Sequence, residues 1–179
     1  MIENILALDE QLFLLINGSG NETWDGFFLF LTNKLSWIPL YIFLVAWIIK
    51  ENKKASYLIL IGIGLLVLAC DQGSVQLFKN VFERLRPCHV LENVRLETDG
   101  CGGQFGFVSS HASNVFGIAI FIGKILNKKA FAFLFLWAAL VSYSRVYVGV
   151  HYPLDIIGGM IWGTTVALVL FNIYQKIKK

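Results

Sequence analysis

Charged residues are scarce in this sequence, at 15% of its 179 residues, whereas soluble globular proteins contain about 25%. The net charge is only +3 and the basic residues form no stripe, which argues against a nucleic-acid-binding surface. Proline is rare, with three residues, and no internal repeat or low-complexity segment is present. This composition excludes a disordered chain, a coiled coil and a collagen-like protein.

Apolar residues are abundant instead, at 56% of the chain, and the mean hydropathy is +0.65. Soluble globular proteins contain about 45–50% apolar residues, so the composition indicates a membrane protein. The sixteen glycines fit this class because glycine is common in packed transmembrane helices. A chain of this length has room for one domain, which we expect to span residues 1–179.

Five stretches are apolar enough to cross the hydrocarbon core of a bilayer, which takes about 20 helical residues. Asn33, Lys34 and Pro39 obscure the start of the first stretch, which is clearest from Ser36 onward. We predict transmembrane helices within Trp24–Ile49 and at about Ser56–Phe78, His111–Leu126, Ala130–Val148 and Pro153–Tyr174.

The N-terminal segment, residues 1–23, has a different pattern. Ile2–Asn17 alternates apolar and acidic residues at near-helical spacing, and Asp9 with Glu10 interrupts the apolar run. This pattern favours an amphipathic helix at the membrane interface over a sixth span. The predicted fold class is therefore all-α: an integral membrane helical bundle with five transmembrane helices and an N-terminal interfacial amphipathic helix.

Nine lysines indicate the orientation, because cytoplasmic loops of membrane proteins carry an excess of Lys and Arg. With five spans all nine fall on one side, which we take to be cytoplasmic together with the C-terminus. The opposite side receives the N-terminus and the connections Asn80–Ser110 and Ser144–Tyr152. The nine are Lys50, Lys53, Lys54, Lys124, Lys128, Lys129, Lys176, Lys178 and Lys179.

Polar residues that could carry chemistry form three clusters on this outer side. Lys79 and Arg86 are two helical turns apart, so we expect both to project from one side of the second span, which Pro87 would end. Ser109 and Ser110 stand directly before the third span. Serine hydroxyls and free backbone N–H groups at a helix start form an anion site.

The third cluster contains Ser144, Arg145 and His151, followed by Asp155. Pro153 suits the first position of the fifth span, which would place Asp155 in the first turn of that helix. There the carboxylate could bond one ring nitrogen of His151 and leave the other nitrogen as a nucleophile.

The combined charge of the clusters indicates what binds between them. Three cations, two hydroxyls and a helix N-terminus converge with one carboxylate that is committed to a histidine, which fits a dianionic phosphate. Metal-dependent phosphoryl transfer would need several carboxylate ligands, so we expect no metal and no cofactor. His111 and His151 can divide the remaining work, one attacking phosphorus and the other protonating the leaving oxygen.

These clusters resemble the motifs of the type 2 phosphatidic acid phosphatase family, K-x6-R-P, P-S-G-H and S-R-x5-H-x3-D. The first motif, from Lys79 to Pro87, and the third, from Ser144 to Asp155, match at every specified position and spacing. The second differs at two positions, with Val108 for the proline and Ser110 for the glycine. The resemblance covers about residues 79–155 and the helical layout of nearly the whole chain.

The resemblance implies a phosphatase that needs no metal, with its catalytic motifs in residues 79–155. His151 would form a phosphohistidine, Asp155 would orient and charge it, and His111 would be the general acid. The residues that would hold the phosphate are Lys79, Arg86, Ser109, Ser110 and Arg145.

The family also implies a substrate class. We expect hydrolysis of a lipid phosphate or diphosphate at a bacterial inner (cytoplasmic) membrane, with the active site facing the periplasm. Undecaprenyl diphosphate is favoured, and phosphatidylglycerophosphate and the phosphate of lipid A are the other candidates. The alternative is a membrane protein that binds or transports a phosphorylated ligand without cleaving it. Membrane lipids are the other expected partners, with no nucleic acid and no obligatory protein partner.

Other outer residues have less specific assignments. Cys88 and Cys101 lie in one connection and could form a disulfide if the outer side is an oxidising periplasm. Arg84 and Arg95 are expected at a solvated rim. The glycine-rich segment, residues 100–106, is expected to act as a gate or lid over the site.

Overall fold

The computed structural model describes residues 1–178, and its regular elements are helical, with no β-strand in that range. Short 3-10 turns precede α3 and α4, and a π-helical segment, Ser74–Lys79, joins α4 to α5. The predicted all-α class is confirmed. The α-helices are α1 (Ile2–Gly18), α2 (Glu22–Thr32), α3 (Ile38–Asn52), α4 (Ser56–Gly73), α5 (Asn80–Phe82), α6 (Pro87–Val90), α7 (Ser110–Ile125), α8 (Lys128–Tyr147) and α9 (Pro153–Ile177).

Three helical stretches of the described chain are long and apolar enough to cross a membrane: Lys34–Phe82, Lys128–Tyr147 and Pro153–Ile177. The first contains 49 residues. As one helix it would extend about 70 Å, more than twice the thickness of a bilayer core. The 3-10 turn Lys53–Ala55 divides it into α3 and α4, which contact each other. These stretches indicate an integral membrane protein.

The stretch predicted as the first span, Trp24–Ile49, is interrupted in the structure. α2 ends at Thr32, and Asn33 has an extended backbone whose side chain accepts a hydrogen bond from a backbone N–H two residues later, at 2.9 Å. α3 then begins with Pro39 in its first turn, where the missing proline N–H leaves no helical bond unmade. Trp24 therefore belongs to a separate helix, α2, which packs against α8.

α7 lies at the centre of the bundle and contacts α4, α8 and α9. Its residues Val115–Gly123 are all buried. Glycines of α9 allow a close approach to α7, because a β-carbon at Gly159 would lie 2.5 Å from the carbonyl oxygen of Ser109. Small residues at helix contacts are typical of membrane bundles. The close contact brings the N-terminal ends of α7 and α9 together.

The ends of the helices form two groups with different chemistry. The start of α7, the end of α8 and the start of α9 lie at one end of the bundle and carry the second and third motifs. The start of α4, the end of α7, the start of α8 and the end of α9 lie at the other end, where the lysine-rich connections are. The candidate phosphate-binding residues and these lysines are therefore at opposite ends of the bundle.

α1 packs against the motif-bearing end through one stripe of residues. Asp9, Phe13 and Asn17 are four residues apart, lie on one helix face, and are buried. The ring of Phe13 meets that of Tyr152 edge-on, with centroids 5.4 Å apart, and the side-chain amide of Asn17 donates to the carbonyl of Tyr147 at 2.7 Å. Asp9, which interrupts the apolar pattern of the sequence, is only 3% exposed and faces the protein.

Candidate active site

His151 lies in the short connection between α8 and α9 and is 1% exposed. Its Nδ1 is 3.1 Å from Oδ2 of Asp155, and this oxygen also accepts a hydrogen bond from the backbone N–H of Tyr152 at 3.0 Å. Pro153 begins α9, which places Asp155 in the third position of the helix. The first turn of α9 therefore positions the carboxylate of Asp155 to bond the imidazole of His151.

Nε2 of His151 lies 3.2 Å from Nη1 of Arg86. A guanidinium only donates and a carboxylate only accepts, so the imidazole carries its proton on Nδ1 and a lone pair on Nε2. Burial, together with the charges of Arg86 and Arg145, holds the pKa of His151 well below its usual range. The neutral imidazole is the form that a nucleophile requires.

Two buried guanidinium nitrogens have no hydrogen-bond partner among residues 1–178, namely Nε of Arg86 and Nε of Arg145. Nη1 of Arg145 donates to Oγ1 of Thr32 at 2.5 Å, which connects α8 to α2. A buried charged donor without a partner is costly, whereas phosphate oxygens are good acceptors for a planar guanidinium. The two guanidinium groups therefore suit an anion.

Lys79 and His111 border the same site. Lys79 is the last residue of the π-helical segment after α4, and its charge interacts with those of Arg86 and Arg145. His111 is in the first turn of α7 and is also within electrostatic reach of Arg86 and Arg145. Within the described residues, no group of three or more His, Cys, Asp or Glu side chains is placed to hold a metal ion.

The serines of the motifs occupy three different environments. Ser109 is the buried N-cap of α7, where its hydroxyl accepts a hydrogen bond from the first turn at 3.4 Å and its N–H donates to the carbonyl of Asp155 at 3.0 Å. Ser110 is the first residue of α7 and is partly exposed toward the cavity described below. The hydroxyl of Ser144 donates to a carbonyl of its own helix at 2.7 Å. Ser109 thus connects α7 to α9.

The prediction that Lys79 and Arg86 project from one continuous helix is wrong. The helix ends at Phe82, Glu83 adopts the left-handed conformation with φ 45°, and Arg86 is extended. A positive φ is uncommon for a non-glycine residue and turns the chain sharply here. Pro87 begins the short helix α6 and does not end α4. Arg86 therefore reaches the site from a loop.

The sequence places Arg84 at a solvated rim, and the structure shows that this is wrong. Its Nη1 donates to Oδ1 of Asp155 at 3.0 Å, and its Nη2 donates to Oδ2 of Asp9 at 2.6 Å. The guanidinium also lies 4.2 Å from the centroid of the Tyr152 ring. Alternate residues of an extended segment share a face, so the spacing of Arg84 and Arg86 was a signal that both point toward one site.

The connection between α5 and α7 is held by two further contacts. Arg95, also expected at a solvated rim, forms an ion pair with Asp25 of α2 and lies 3.2 Å from Glu97. Cys88 and Cys101 form a disulfide, with their Cα atoms 5.9 Å apart. The disulfide ties α6, directly after Arg86, to the glycine-rich segment.

Part of the glycine-rich segment, residues 100–106, forms a wall of the site. Gly106 is buried, and a β-carbon there would lie 2.8 Å from Oδ2 of Asp155. Gly102 has φ +80°, a conformation that favours glycine, and is near the guanidinium of Arg86. A role of the segment as a gate or lid stays a prediction.

A cavity of about 420 Å³ lies beside the site, between α3, α4 and α7. Its polar end includes Ser110, His111 and Lys34, together with a hydrogen bond from Asn114 to Asp71 at 2.8 Å. An apolar chain attached to a phosphate would fit this combination. The other lining residues are Tyr41, Leu44, Val45, Ile48, Ile63, Val67, Val115, Ile118 and Ile122.

The sequence is similar to that of known membrane phosphatases. A family model described as the PAP2 superfamily matches residues 56–179. The lipid A 4'-phosphatase of Porphyromonas gingivalis is 35% identical, over 97% of this chain and 75% of its own length. The undecaprenyl-diphosphatase of Sulfolobus acidocaldarius is 31% identical, over 96% of this chain and 81% of its own length.

The fold is similar as well. The crystal structure of Aquifex aeolicus LpxE aligns with a TM-score of 0.70 at 27% identity, covering 92% of this chain and 95% of that chain. The family match covers more than half of the chain, and it contains the three motifs around which the site is built. The chain therefore belongs to the PAP2 superfamily.

Proposed function

We propose that this protein is a membrane lipid phosphatase in which His151 takes the phosphoryl group from a lipid phosphate. Membership of the superfamily, with phosphatases among its relatives, makes it a phosphoric ester hydrolase. The observation that carries the proposal is the environment of His151. Its Nδ1 bonds to Asp155 and its Nε2 faces Arg86, beside buried guanidinium nitrogens that suit an anion.

In the first step, the lone pair of Nε2 of His151 attacks phosphorus. The N–P bond forms as the bond between phosphorus and the leaving-group oxygen breaks, and His111, which holds a proton once the bound phosphate offsets the charges of Arg86 and Arg145, gives that proton to this oxygen. Lys79, Arg86 and Arg145 neutralise the charge on the equatorial oxygens, as a metal ion does in other phosphoryl transferases. The hydroxyl of Ser110 and the N–H groups of the α7 start, which Ser109 caps, add donors for the phosphate.

In the second step, water attacks the phosphohistidine. His111, now neutral, accepts a proton from this water as the new P–O bond forms and the N–P bond breaks. Inorganic phosphate leaves, and both histidines return to their starting protonation states. Asp155 keeps the Nδ1 proton of His151 in place through both steps and stabilises the positive charge on the ring.

The apolar cavity supports a lipid as the substrate. It begins at Ser110 and His111, where the leaving oxygen would be, and continues between α3, α4 and α7 along aliphatic side chains. The apolar part of a lipid whose leaving oxygen lies there would extend into the cavity while the phosphate stays at the polar end of the bundle. Binding energy from the tail would then position the phosphorus in front of His151.

Two substrates take precedence among the candidates. The phosphate of lipid A comes first, because the relative at 35% identity is named a lipid A 4'-phosphatase. Undecaprenyl diphosphate, which the sequence analysis favoured, comes second on the strength of the relative at 31% identity. Phosphatidylglycerophosphate is the third candidate, from the motif resemblance.

We further propose that residues 1–179 form one domain with five spans, α3, α4, α7, α8 and α9, and with α1 at the membrane interface. The positions of the lysines favour a cytoplasmic C-terminus and a site facing the periplasm of a bacterial inner membrane. Cysteines introduced by Asp99→Cys and Lys128→Cys test this orientation. In intact cells a membrane-impermeant maleimide should label the first and spare the second, and the reverse pattern would contradict it.

Phosphate release by the purified protein tests the function. We expect release from at least one of lipid A, undecaprenyl diphosphate and phosphatidylglycerophosphate in the presence of EDTA, and loss of release in His151→Ala. His89→Ala, which changes an exposed histidine of the outer connection, is the matched control and should keep wild-type turnover.

The phosphate-release assay also distinguishes a phosphatase from the alternative, a protein that binds or transports a phosphorylated ligand without cleaving it. Tight binding of a phosphorylated lipid without release would favour a binding or transport protein. Strict dependence on a metal would contradict the proposed roles of the three cations. After an alkaline quench, the wild type should retain an acid-labile phosphoryl group that His151→Ala lacks, and equal labelling of both proteins would remove His151 as the nucleophile.

A further inference from the structure

We propose that Asp9 and Arg84 are positioning residues that hold Asp155, and through it the imidazole of His151, in the geometry for attack on phosphorus. The first helix, α1, would then be a working part of the active site. This inference rests on the proposed function, because it assigns a role within that reaction.

The carboxylate of Asp155 is held on both of its oxygens. Oδ2 accepts from Nδ1 of His151 and from the N–H of Tyr152, and Oδ1 accepts from Nη1 of Arg84 at 3.0 Å. The side chain is fully buried. A buried carboxylate oxygen that loses its charged donor pays a large desolvation cost, so the group turns or takes up a proton to relieve it. Either response would disturb its bond to His151.

Asp9 in turn fixes both Arg84 and the start of α9. Its Oδ2 accepts from Nη2 of Arg84 at 2.6 Å, and its Oδ1 accepts from the N–H of Leu154 at 2.8 Å. That N–H belongs to the first turn of α9 and has no partner within its own helix. The side chain of Asp9 therefore fixes both the guanidinium of Arg84 and the helix that carries Asp155. The ring of Tyr152 supports the guanidinium from one face.

Of the three acidic residues of α1, Asp9 alone faces the protein. Glu3 and Glu10 of the same helix are exposed, whereas Asp9 is buried in the stripe that continues to Phe13 and Asn17. An interfacial helix that only anchored the chain to lipid would place its acidic residues in water. The buried position of Asp9 is explained by its two bonds near the catalytic histidine.

Kinetics of single and double variants test the inference. In Arg84→Met we expect kcat to fall about 100-fold with KM little changed, because a misplaced nucleophile slows chemistry more than binding. In Asp9→Asn we expect about a tenfold fall, since one charge-assisted hydrogen bond is lost. The double variant should be no worse than Arg84→Met by more than about twofold, because Asp9 acts through Arg84. Arg84→Lys, which keeps a charged donor, should recover part of the loss.

Two controls separate positioning from general stability. Glu10→Gln changes the exposed neighbour of Asp9 and should keep wild-type kcat. Asp25→Asn breaks the ion pair with Arg95, which also joins the N-terminal region to the outer connection. It should lower the melting temperature without lowering kcat. A loss of kcat in Asp25→Asn equal to that in Arg84→Met would assign both pairs to stability and overturn the inference.

Nitrogen-15 NMR of the three histidines provides a readout that needs no substrate. In the wild type, His151 should show a protonated Nδ1 and a bare Nε2, and in Arg84→Met the two tautomers should mix, with exposed His89 unchanged as an internal reference. If Arg84→Met does not fold, Arg84→Lys and Asp9→Asn take its place in both measurements. A wild type that releases no phosphate from any lipid refutes the proposed function. Unchanged kcat, or an unchanged tautomer whatever the activity, refutes the positioning role.

Discussion

The substitution Asp155→Asn tests the bond between the carboxylate and the imidazole with the smallest change of shape. The amide has one acceptor oxygen, whereas Asp155 uses two, one toward Arg84 and one toward His151 and the N–H of Tyr152. In one orientation the NH2 group faces the guanidinium, where two donors repel. In the other it donates to Nδ1 of His151 and moves the ring proton to Nε2, which removes the lone pair that we propose attacks phosphorus.

The expected loss of kcat follows from the change in the tautomer of His151. In a serine protease triad, the corresponding change lowers kcat by about 10⁴-fold, or about 5 kcal/mol of activation free energy. The same logic holds here because one carboxylate selects the tautomer of a buried imidazole. We expect Asp155→Asn to lower kcat for phosphate release from saturating lipid by about this factor, with the protein still folded.

A control variant is available for Asp155→Asn. Asp99→Asn makes the same chemical change at an exposed position of the connection between α5 and α7 and should keep wild-type turnover. A loss below about tenfold in Asp155→Asn, with an unchanged melting temperature, would show that the tautomer of His151 does not depend on this carboxylate.

Three further predictions concern the cavity, the disulfide and the buried histidine. Val45→Trp, which fills the cavity, should raise KM for long-chain lipid phosphates and leave turnover of a short-chain phosphate unchanged, whereas Ile42→Trp on the exposed side of α3 should change neither. Replacing Cys88 and Cys101 by serine should lower the free energy of unfolding by about 3 kcal/mol, as expected for a loop of this length, and a reducing agent should lower the melting temperature of the wild type but not of the variant. Because the pKa of His151 is held well below its usual range, its imidazole binds a proton below about pH 6.5 in the unfolded chain but not in the folded chain, so this histidine contributes a loss of stability on acidification. Between about pH 6.5 and 5.5, denaturant titrations should show the wild type losing about 1 kcal/mol more than His151→Gln, and equal losses would contradict a neutral buried imidazole.

The helices that carry the motifs could be located from sequence because each has an apolar run with a clear boundary. The stretch predicted as His111–Leu126 is helical over Ser110–Ile125, and a capping serine precedes it. Pro153 marks the start of α9 in both the sequence and the structure. The break after α2 was harder to locate, since Asn33 ends a helix by an extended backbone and a local side-chain bond, and polar residues such as Asn33 and Lys34 only obscured the start of the predicted span.

The predicted contact between His151 and Asp155 is present in the structure, and these two residues are close along the chain. His151 and Asp155 are four residues apart at a helix start, so local geometry alone predicts their bond. Arg84 and Asp9 are separated by 75 residues. Their pairing depends on the left-handed turn at Glu83 and on the docking of α1, neither of which leaves a periodic pattern in the sequence.

The charges around the site explain why the three cations proposed to bind phosphate are not neutralised by the carboxylate beside them. Both oxygens of Asp155 are engaged elsewhere, Oδ1 by Arg84 and Oδ2 by backbone and histidine donors. Arg86 directs Nη1 to His151 and to the carbonyl of Val150 instead. Arg84 is shared with Asp9, and these three side chains together carry one net negative charge when both carboxylates are ionised. Lys79, Arg86 and Arg145 add three positive charges, which leaves a site with two net positive charges. A dianionic phosphate would neutralise it, and Nε of Arg86, buried and unpaired among the described residues, offers it a donor.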